Sequence, residues 1–435
     1  MVGVKKSTIC LNMIVKDEGH IIEKTLNNLQ SIFNFDYWVI CDTGSSDNTK
    51  DIISKFFEDV GVPGELVTHK WEGFDVCRTY ALEQAYNKSD YNLIFDADDY
   101  IEGNFIIPND RNLTKDIYYL KLGNNFTFYR GILINNRLKW CFKGVVHEYL
   151  QNLEPLGNGT EYINGDYYIV PGHDGARSNN SNKYIDDANV LEKELEKNIE
   201  DKVLKNRYIY YCAQSFYDGG DKENALKYYK MTLSNDNWNQ EKYISCMRIG
   251  DIYHQKDNIQ EALIYWDGAC QFDTLRLDGV SRIVKYLYSK GNHTMVMYYY
   301  NKYKHINEIK DSSHYLLLDK ESFYNIRYFA CISAYYKNEK IEGYNCCKCL
   351  IINNKQRDKK NVYRNMKFYI DNFNHDNDDK KFLILENIFK YICSLGSSNS
   401  SDDNIMLTTI YDYIEPYLKI YRNELYITLK KILNL

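Results

Sequence analysis

Three carboxylates stand within four positions of the stretch YNLIFDADDYIEG, at Asp96, Asp98 and Asp99, directly behind the apolar run Asn92-Leu93-Ile94-Phe95. Such a run reads as a buried strand. Negative charge crowded at its end repels itself unless a cation is shared. Clustered carboxylate oxygens suit a hard divalent ion such as Mg2+ or Mn2+, and that ion can also hold a diphosphate. A short acidic triplet also occurs on ordinary solvated turns, so the chemistry needs companions. The sequence supplies them: Asp17 and Glu18 follow TICLNMIV, and Asp42 closes DYWVICD.

The elements that must position these acids can be read from the same residues. TICLNMIV is a first strand, followed by a helix with Ile22, Leu26 and Leu29 on one face. DYWVICD is a second strand. In SSDNTKDIISKFFEDVG, Ser45, Ser46 and Asp47 are N-capping types, Ile53, Phe56, Phe57 and Val60 share a face, and Gly61 suits the stop. ELVTHK is a third strand, a helix covers about Phe74 to Tyr86, and NLIFDAD is a fourth strand. Strands alternating with helices over short links specify a parallel α/β sheet, and such sheets bind ligands beyond the carboxyl ends of their strands. Asp17, Glu18, Asp42, Asp96, Asp98 and Asp99 all fall at those ends.

From about residue 120 the pattern changes to short strands, FTFYRGILI, KWCF, GVVHEYL and DYYIV, ending at the turn-rich PGHDGARSNNSNKY. Neighbouring residues of a strand face opposite ways, so a regular strand through GVVHEYL sends only one of His147 and Glu148 into a site. Beyond that boundary the chain reads as helical and repetitive. Small or medium residues recur twelve positions apart, at Ala213 and Ala225, Gly250 and Ala262, Val284 and Val296, and more weakly Cys331 and Gly343. Successive units are 37 and 34 residues apart, near the tetratricopeptide period of about 34. Paired helices approach closely only where side chains are small. The expected organisation is an α/β domain over 1–178, helical repeats over 179–393, and a mobile SLGSSNSSDDN loop with a last helical piece over 394–435.

Composition narrows the function classes. A chain of 435 residues calls for two or three domains, and 44% hydrophobic with 26% charged residues describes a soluble globular protein. A net charge of −6 gives no footprint for nucleic acid. The twelve cysteines are scattered, which fits a reducing compartment, and the cluster NCCKCL lacks a second pair at zinc-finger spacing. With no apolar run long enough to span a membrane and an opening that reads as a strand, the expected location is cytoplasmic. The 42 tyrosines accompany an excess of Asn, Lys and Ile, a skew that AT-rich codons produce, so tyrosine richness carries no functional argument of its own.

MIVKDEGHIIEKTL, VICDTGSSDNT, FDVCRTYALEQA and LIFDADD occur in that order. Together they resemble the family-2 glycosyltransferases of the GT-A fold, over roughly residues 8–175. The helical repeats behind GHDGARS resemble the branch whose catalytic domain is followed by tetratricopeptide-like repeats. The resemblance implies transfer of a sugar, with inversion, from a nucleotide sugar, by family habit a UDP-sugar. It implies Asp17 and Glu18 lining the nucleotide pocket, Asp42 on the uracil ring, Arg78 near the diphosphate and Asp96 near the ribose. Asp98 would be the main ligand of Mn2+ or Mg2+, completed by His173, and Glu148 the base, with Asp174 a weaker alternative. Asp99 is either a further ligand or a surface acid. The chain has Thr79 where relatives often carry Asn. The acceptor is a glycan, a lipid-linked sugar or a protein, and the solenoid surface serves acceptor binding, homodimer formation or both. Two rival readings remain: a sugar nucleotidyltransferase, which usually needs a glycine-rich basic loop where this chain has MIVKDEG, and a non-catalytic repeat module on a transferase remnant.

Overall fold

The apolar runs become strands of one mixed sheet. The computed structural model describes residues 6–123, 126–172, 182–311, 313–353, 359–396 and 401–433. In it β1 (Ile9–Val15), β2 (Tyr37–Asp42), β3 (Gly64–Thr68) and β4 (Tyr91–Ile94) run parallel in the order β3-β2-β1-β4. They are joined by α1 (Ile22–Phe33), α2 (Thr49–Val60) and α3 (Phe74–Ala85). Ile9, Leu11, Met13 and Val15 of β1 are buried together with Cys10, so this central strand is covered on both faces, as parallel strands are. Asn12 is buried with them. Its amide donates to the Val39 carbonyl at 3.2 Å and the Ala81 carbonyl at 2.9 Å, tying α3 to the sheet.

The parallel sheet expected of the first four strands is formed, and from about residue 120, where the pattern changes, the pairing becomes mixed. The next strands are β5 (Tyr100–Gly103), β6 (Ile117–Leu122), β7 (Phe126–Asn135), β8 (Trp140–Lys143), β9 (Tyr149–Asn152), β10 (Thr160–Tyr162) and β11 (Tyr167–Val170). β7 lies between β4 and β6, antiparallel to both, and β11 pairs antiparallel with β5. The physical reason is the missing helices: a parallel neighbour needs a long crossover, whereas short connections return the chain antiparallel. GVVHEYL departs from the expected strand. Only Tyr149 onward is strand; residues 144–148 are the loop of the β8–β9 hairpin.

The chain divides into two compact units, Met1–Tyr265 with Lys310–Leu318, and Trp266–Ile309 with Asp319–Leu435. The first unit adds α4 (Lys183–Leu195), α5 (Lys202–Asp218), α6 (Lys222–Ser234) and α7 (Asn239–Gln255) to the sheet. Then come α8 (Ile259–Gly268), α9 (Asp278–Ser289), α10 (His293–Tyr303), α11 (Ser322–Lys337), α12 (Lys340–Asn353), α13 (Lys359–Met366), α14 (Asp378–Gly396), α15 (Ser401–Tyr421) and α16 (Asn423–Leu433). The small residues spaced twelve apart sit on successive helices, Ala213 and Ala225 on α5 and α6, Val284 and Val296 on α9 and α10, and all are buried. At Gly343 of α12 a Cβ would stand 2.3 Å from the Tyr369 ring, so that approach requires glycine. Cys346 and Cys347 of the NCCKCL cluster are buried on α12 in the second unit. Residues 397–400, inside the expected mobile loop, lie outside the described residues; the helices on either side end at Gly396 and begin at Ser401. No described helix is long and apolar enough to cross a membrane.

Candidate functional site

The acidic triplet leaves β4 as a tight turn. Phe95 still donates to the Asn12 carbonyl at 3.0 Å, and the Asp99 N–H closes back on the Asp96 carbonyl at 3.3 Å. α1 braces this turn. The Thr25 hydroxyl donates to the Ala97 carbonyl at 2.8 Å, and the Asn28 amide both donates to and accepts from the Ile101 backbone. On another side the Gly172 N–H donates to Asp99 Oδ1 at 2.9 Å. A Cβ on Gly172 would stand 2.2 Å from the Asp98 carbonyl oxygen, so no other residue fits there. Burial, and then the negative charge of Asp96 and Asp98, push the Asp99 carboxyl up to about 7.

α3 brings the balancing charge. Arg78 Nη2 meets Asp96 Oδ1 at 2.5 Å, and its Nε meets Glu148 Oε1 at 2.7 Å. Arg130 of β7 reaches the other Asp96 oxygen at 2.9 Å. Burial opposes the Asp96 charge, but the two guanidiniums outweigh it and hold this carboxyl well below the usual range. Burial likewise opposes the Arg78 charge, and Asp96 and Glu148 outweigh it, so the guanidinium is held more firmly protonated than usual.

Glu148 reaches Arg78 because the hairpin loop is bent. His147 has φ of 53°, a left-handed conformation uncommon for a residue with a Cβ. α5 holds it there. Arg207 Nε donates to the His147 carbonyl at 2.9 Å, the His147 ring stacks on Tyr211 at 4.3 Å, and the Val145 N–H donates to the Tyr208 hydroxyl at 3.1 Å. The regular strand on which the alternation of His147 and Glu148 depended is not formed here, and both residues line one cavity.

The acids of the first two strand ends are engaged differently. Asp17, with φ of 55°, accepts from the Ser46 N–H at 2.7 Å and the Ser46 hydroxyl at 3.0 Å. Asp42 is buried, and its carboxylate accepts from the Gly44 and Ser45 N–H groups at 3.2 and 3.1 Å. Asp47 accepts from Thr49 and from the Gly19 N–H. Instead of simply capping α2, whose N-cap is Asn48, this cluster knits the loops after β1 and β2 together.

A cleft of about 1160 Å3 opens at the strand ends, lined by Asp17, Glu18, Thr43, Asp98 and Asp99 among others, with Lys183 and Tyr184 of α4. A second cavity, of about 900 Å3, holds His147 and Glu148. Phe74, Arg78, Asp96, Val146 and Asp187 line both, so the Arg78–Asp96 pair stands where the two meet. Asp98 and Asp99 line the first cavity with the oxygen donors a hard cation prefers. The donor chemistry fits Mn2+ or Mg2+. Among the described residues no group of three such ligands is already gathered, and His173 and Asp174 lie outside them.

Residues 10–108, from β1 through the acidic turn, match the family model described as glycosyl transferase family 2. This part of the chain is a family-2 glycosyltransferase domain. The match supports glycosyl transfer as the reaction class. No curated protein matches the chain. Among solved structures it is similar to Staphylococcus aureus TarS residues 1–349 in complex with UDP-GlcNAc, at 12% identity over 61% of this chain and 92% of that one, TM-score 0.32. It is also similar to the mannosyltransferase PcManGT of Pyrobaculum calidifontis in complex with GDP-Man and Mn2+, at 12% identity over 69% and 84%, TM-score 0.33. The C-terminal part of a tetratricopeptide repeat-containing protein of Cytophaga hutchinsonii gives 21% identity over 58% and 90%, TM-score 0.35. Likeness at that level says nothing about the ligands of this chain.

Two charged residues of these cavities escaped the sequence reading. Arg130 is the one charge in the otherwise uncharged FTFYRGILI, a signal that was available. Asp75 precedes Arg78 by one helical turn and lines the first cavity; burial pushes its carboxyl above the usual value.

Proposed function

We propose that the chain is a metal-dependent, inverting glycosyltransferase that takes a sugar from a UDP-sugar in the first cavity and passes it to an acceptor hydroxyl entering from the second. The observation that carries this reading is the meeting of the two cavities at Arg78 and Asp96, with Asp98 and Asp99 on one side and Glu148 on the other. Asp17 and Glu18 form the nucleotide end of the first cavity; Asp42, expected on the uracil ring, is buried at the end of β2 with its carboxylate taken up by the Gly44 and Ser45 N–H groups. Asp98, with His173 as the resemblance implies, would hold Mn2+ or Mg2+, which when bound neutralises diphosphate charge. Arg78, which lines both cavities, presents a fixed guanidinium where negative charge grows on the leaving group, a stabilisation that costs no reorganisation during reaction. Glu148 accepts the proton of the attacking hydroxyl. One C–O bond forms at the anomeric carbon as the bond to the diphosphate breaks, and the nucleoside diphosphate leaves with the electron pair. In this reading the enzyme works in the cytoplasm, and the helical repeats offer a surface for self-association.

The test is release of nucleoside diphosphate from a panel of UDP- and GDP-sugars with Mn2+, with and without EDTA, beside Asp98→Ala, with nucleotide binding read on the same samples. Metal-dependent turnover of one donor, lost in the variant, is expected. Absence of nucleotide binding with Mn2+ present would overturn the reading.

A further inference from the structure

Arg130 belongs to the charged cluster without lining the first cavity; it lines only the second. Its place follows from strand register. β4 and β7 are antiparallel, and three positions past their pair Leu93 with Leu133 the same register brings Arg130 opposite Asp96. There it closes a chain of alternating charge. Arg130 Nη2 donates to Asp96 Oδ2 at 2.9 Å, Arg78 Nη2 to Asp96 Oδ1 at 2.5 Å, and Arg78 Nε to Glu148 Oε1 at 2.7 Å. Two cations balance two anions.

Each link limits the next. A carboxylate held at one oxygen can turn about its Cβ–Cγ bond; one held at both oxygens by guanidiniums from different elements cannot. Asp96 is held in the second way, from α3 and from β7. Arg78 in turn shares its Nε–Nη2 edge between Asp96 and Glu148, which leaves the two N–H groups of Nη1 without a partner among the described residues. Those are the groups a ligand can meet, and both carboxylates must stay in place to fix their direction. Take Arg130 away and the chain carries a net negative charge, with Arg78 as the sole cation on Asp96. A guanidinium then gains by gripping that carboxylate at two points, at the expense of its bond to Glu148.

We propose that Arg130 is a positioning residue: by holding the second oxygen of Asp96 it fixes the Nη1 N–H groups of Arg78 for the donor's diphosphate, without touching the substrate itself. The effect on the donor rests on the function proposed above; the hold on Arg78 does not.

The hold is read by NMR on the full chain with 15N-labelled arginine, the Arg78 Nε–H signal being assigned by its loss in Arg78→Met. The Arg130 side chain is 39% exposed against 12% for Arg78, so replacing it disturbs packing less. Arg130→Gln is expected to quicken solvent exchange of the Arg78 Nε–H at least about fivefold, the size of one weakened hydrogen bond to a charged group. Arg130→Lys, which keeps the charge, is expected to stay within about twofold of the unmodified chain, and in an Asp96→Asn background Arg130→Gln is expected to change the rate less than about twofold. No protected Arg78 signal in the unmodified chain, an unchanged rate in Arg130→Gln, no recovery in Arg130→Lys, or a full effect without Asp96 would each overturn the proposal. UDP affinity with Mn2+ is measured by calorimetry on the same variants and is expected to fall at least about fivefold in Arg130→Gln and to recover in Arg130→Lys. Quickened exchange with unchanged UDP affinity would overturn the part played in donor binding. Absence of UDP binding by the unmodified chain sinks the donor reading and leaves the hold on Arg78 standing.

Discussion

Arg78→Met removes the cation shared by Asp96 and Glu148, and the structure sets the size of the effect. Two unit charges about 4 Å apart attract by about 4 kcal/mol at an effective dielectric near 20. Desolvation returns most of that, so the intact cluster contributes little net stability, but removing one partner strands the others and costs about 3–5 kcal/mol. Arg130, at 2.9 Å from Asp96, softens the loss there. Glu148→Gln keeps an oxygen for Arg78 Nε and gives up only the charge, so it should cost about 1 kcal/mol. With both changes the stranded Glu148 charge is gone and Asp96 keeps Arg130, so the double variant should be more stable than the sum of the single effects by about 1–3 kcal/mol. Because the chain has two compact units, the readout should be local: native-state hydrogen exchange in α3 and in residues 144–152. Asp96 also fixes a pH dependence. Its folded value lies below the unfolded one, so its contribution is complete above the unfolded value near about 4 and fades as pH falls toward the folded one. The Arg78→Met deficit should therefore be full at neutral pH and shrink below about 4. A coupling under about 0.5 kcal/mol, the tolerance for independent sites, would refute the account of the cluster.

Three further outcomes follow from other parts of the same unit. Glu148→Gln should lower turnover about 100- to 10,000-fold, the range for a lost general base, with nucleotide affinity changed less than about threefold; a parallel loss of both would assign Glu148 to holding Arg78. Gly172→Ala drives a Cβ against the Asp98 carbonyl and should destabilise the acidic turn by about 1–3 kcal/mol, seen as faster exchange at residues 96–101 and weaker Mn2+-dependent nucleotide binding. In Asp116, burial raises the carboxyl pKa but hydrogen bonds from Asn135 and Asn158 outweigh it and hold it below the usual value. Its stabilisation is therefore present above the unfolded value near about 4 and lost as pH falls through the folded one. Asp116→Asn should cost about 1.5–3 kcal/mol at pH 7 and progressively less below pH about 4, measured by urea denaturation across pH.

How much was legible in the sequence depended on how local the cause was. β1 to β4 and their helices were readable because each announces itself by its own apolar period, and Gly61 stops α2 in the left-handed conformation its type allows. The mixed character of the sheet was not, since pairing direction depends on which strands meet, and no period within FTFYRGILI reveals that it enters beside β4. Ser45, Ser46 and Asp47 misled for a related reason. Their types favour a helix start, yet the loop after β1 offers Asp17 and Gly19 as partners, and only the folded chain brings that loop alongside.

Glu148 shows where residue-by-residue reading stops. The residue type and the resemblance single it out, but strand alternation would have separated its orientation from that of His147. What aims both at one cavity is the strained turn at His147, and nothing in GVVHEYL pays for that strain. The compensation comes from α5, some sixty residues later, through Arg207 on the His147 carbonyl, Tyr211 on its ring and Tyr208 on Val145. Helices that read as a separate repeat region thus set the position of the expected base. The consequence is mechanical: any change that loosens α5 from residues 144–148 should move Glu148 relative to Arg78 without touching either residue. Tyr208→Phe, which removes only the hydroxyl that accepts from Val145, is the smallest such change. If the loop is held as described, it should quicken hydrogen exchange at residues 144–148 and lower turnover together, and an effect on neither would show that α5 is a bystander.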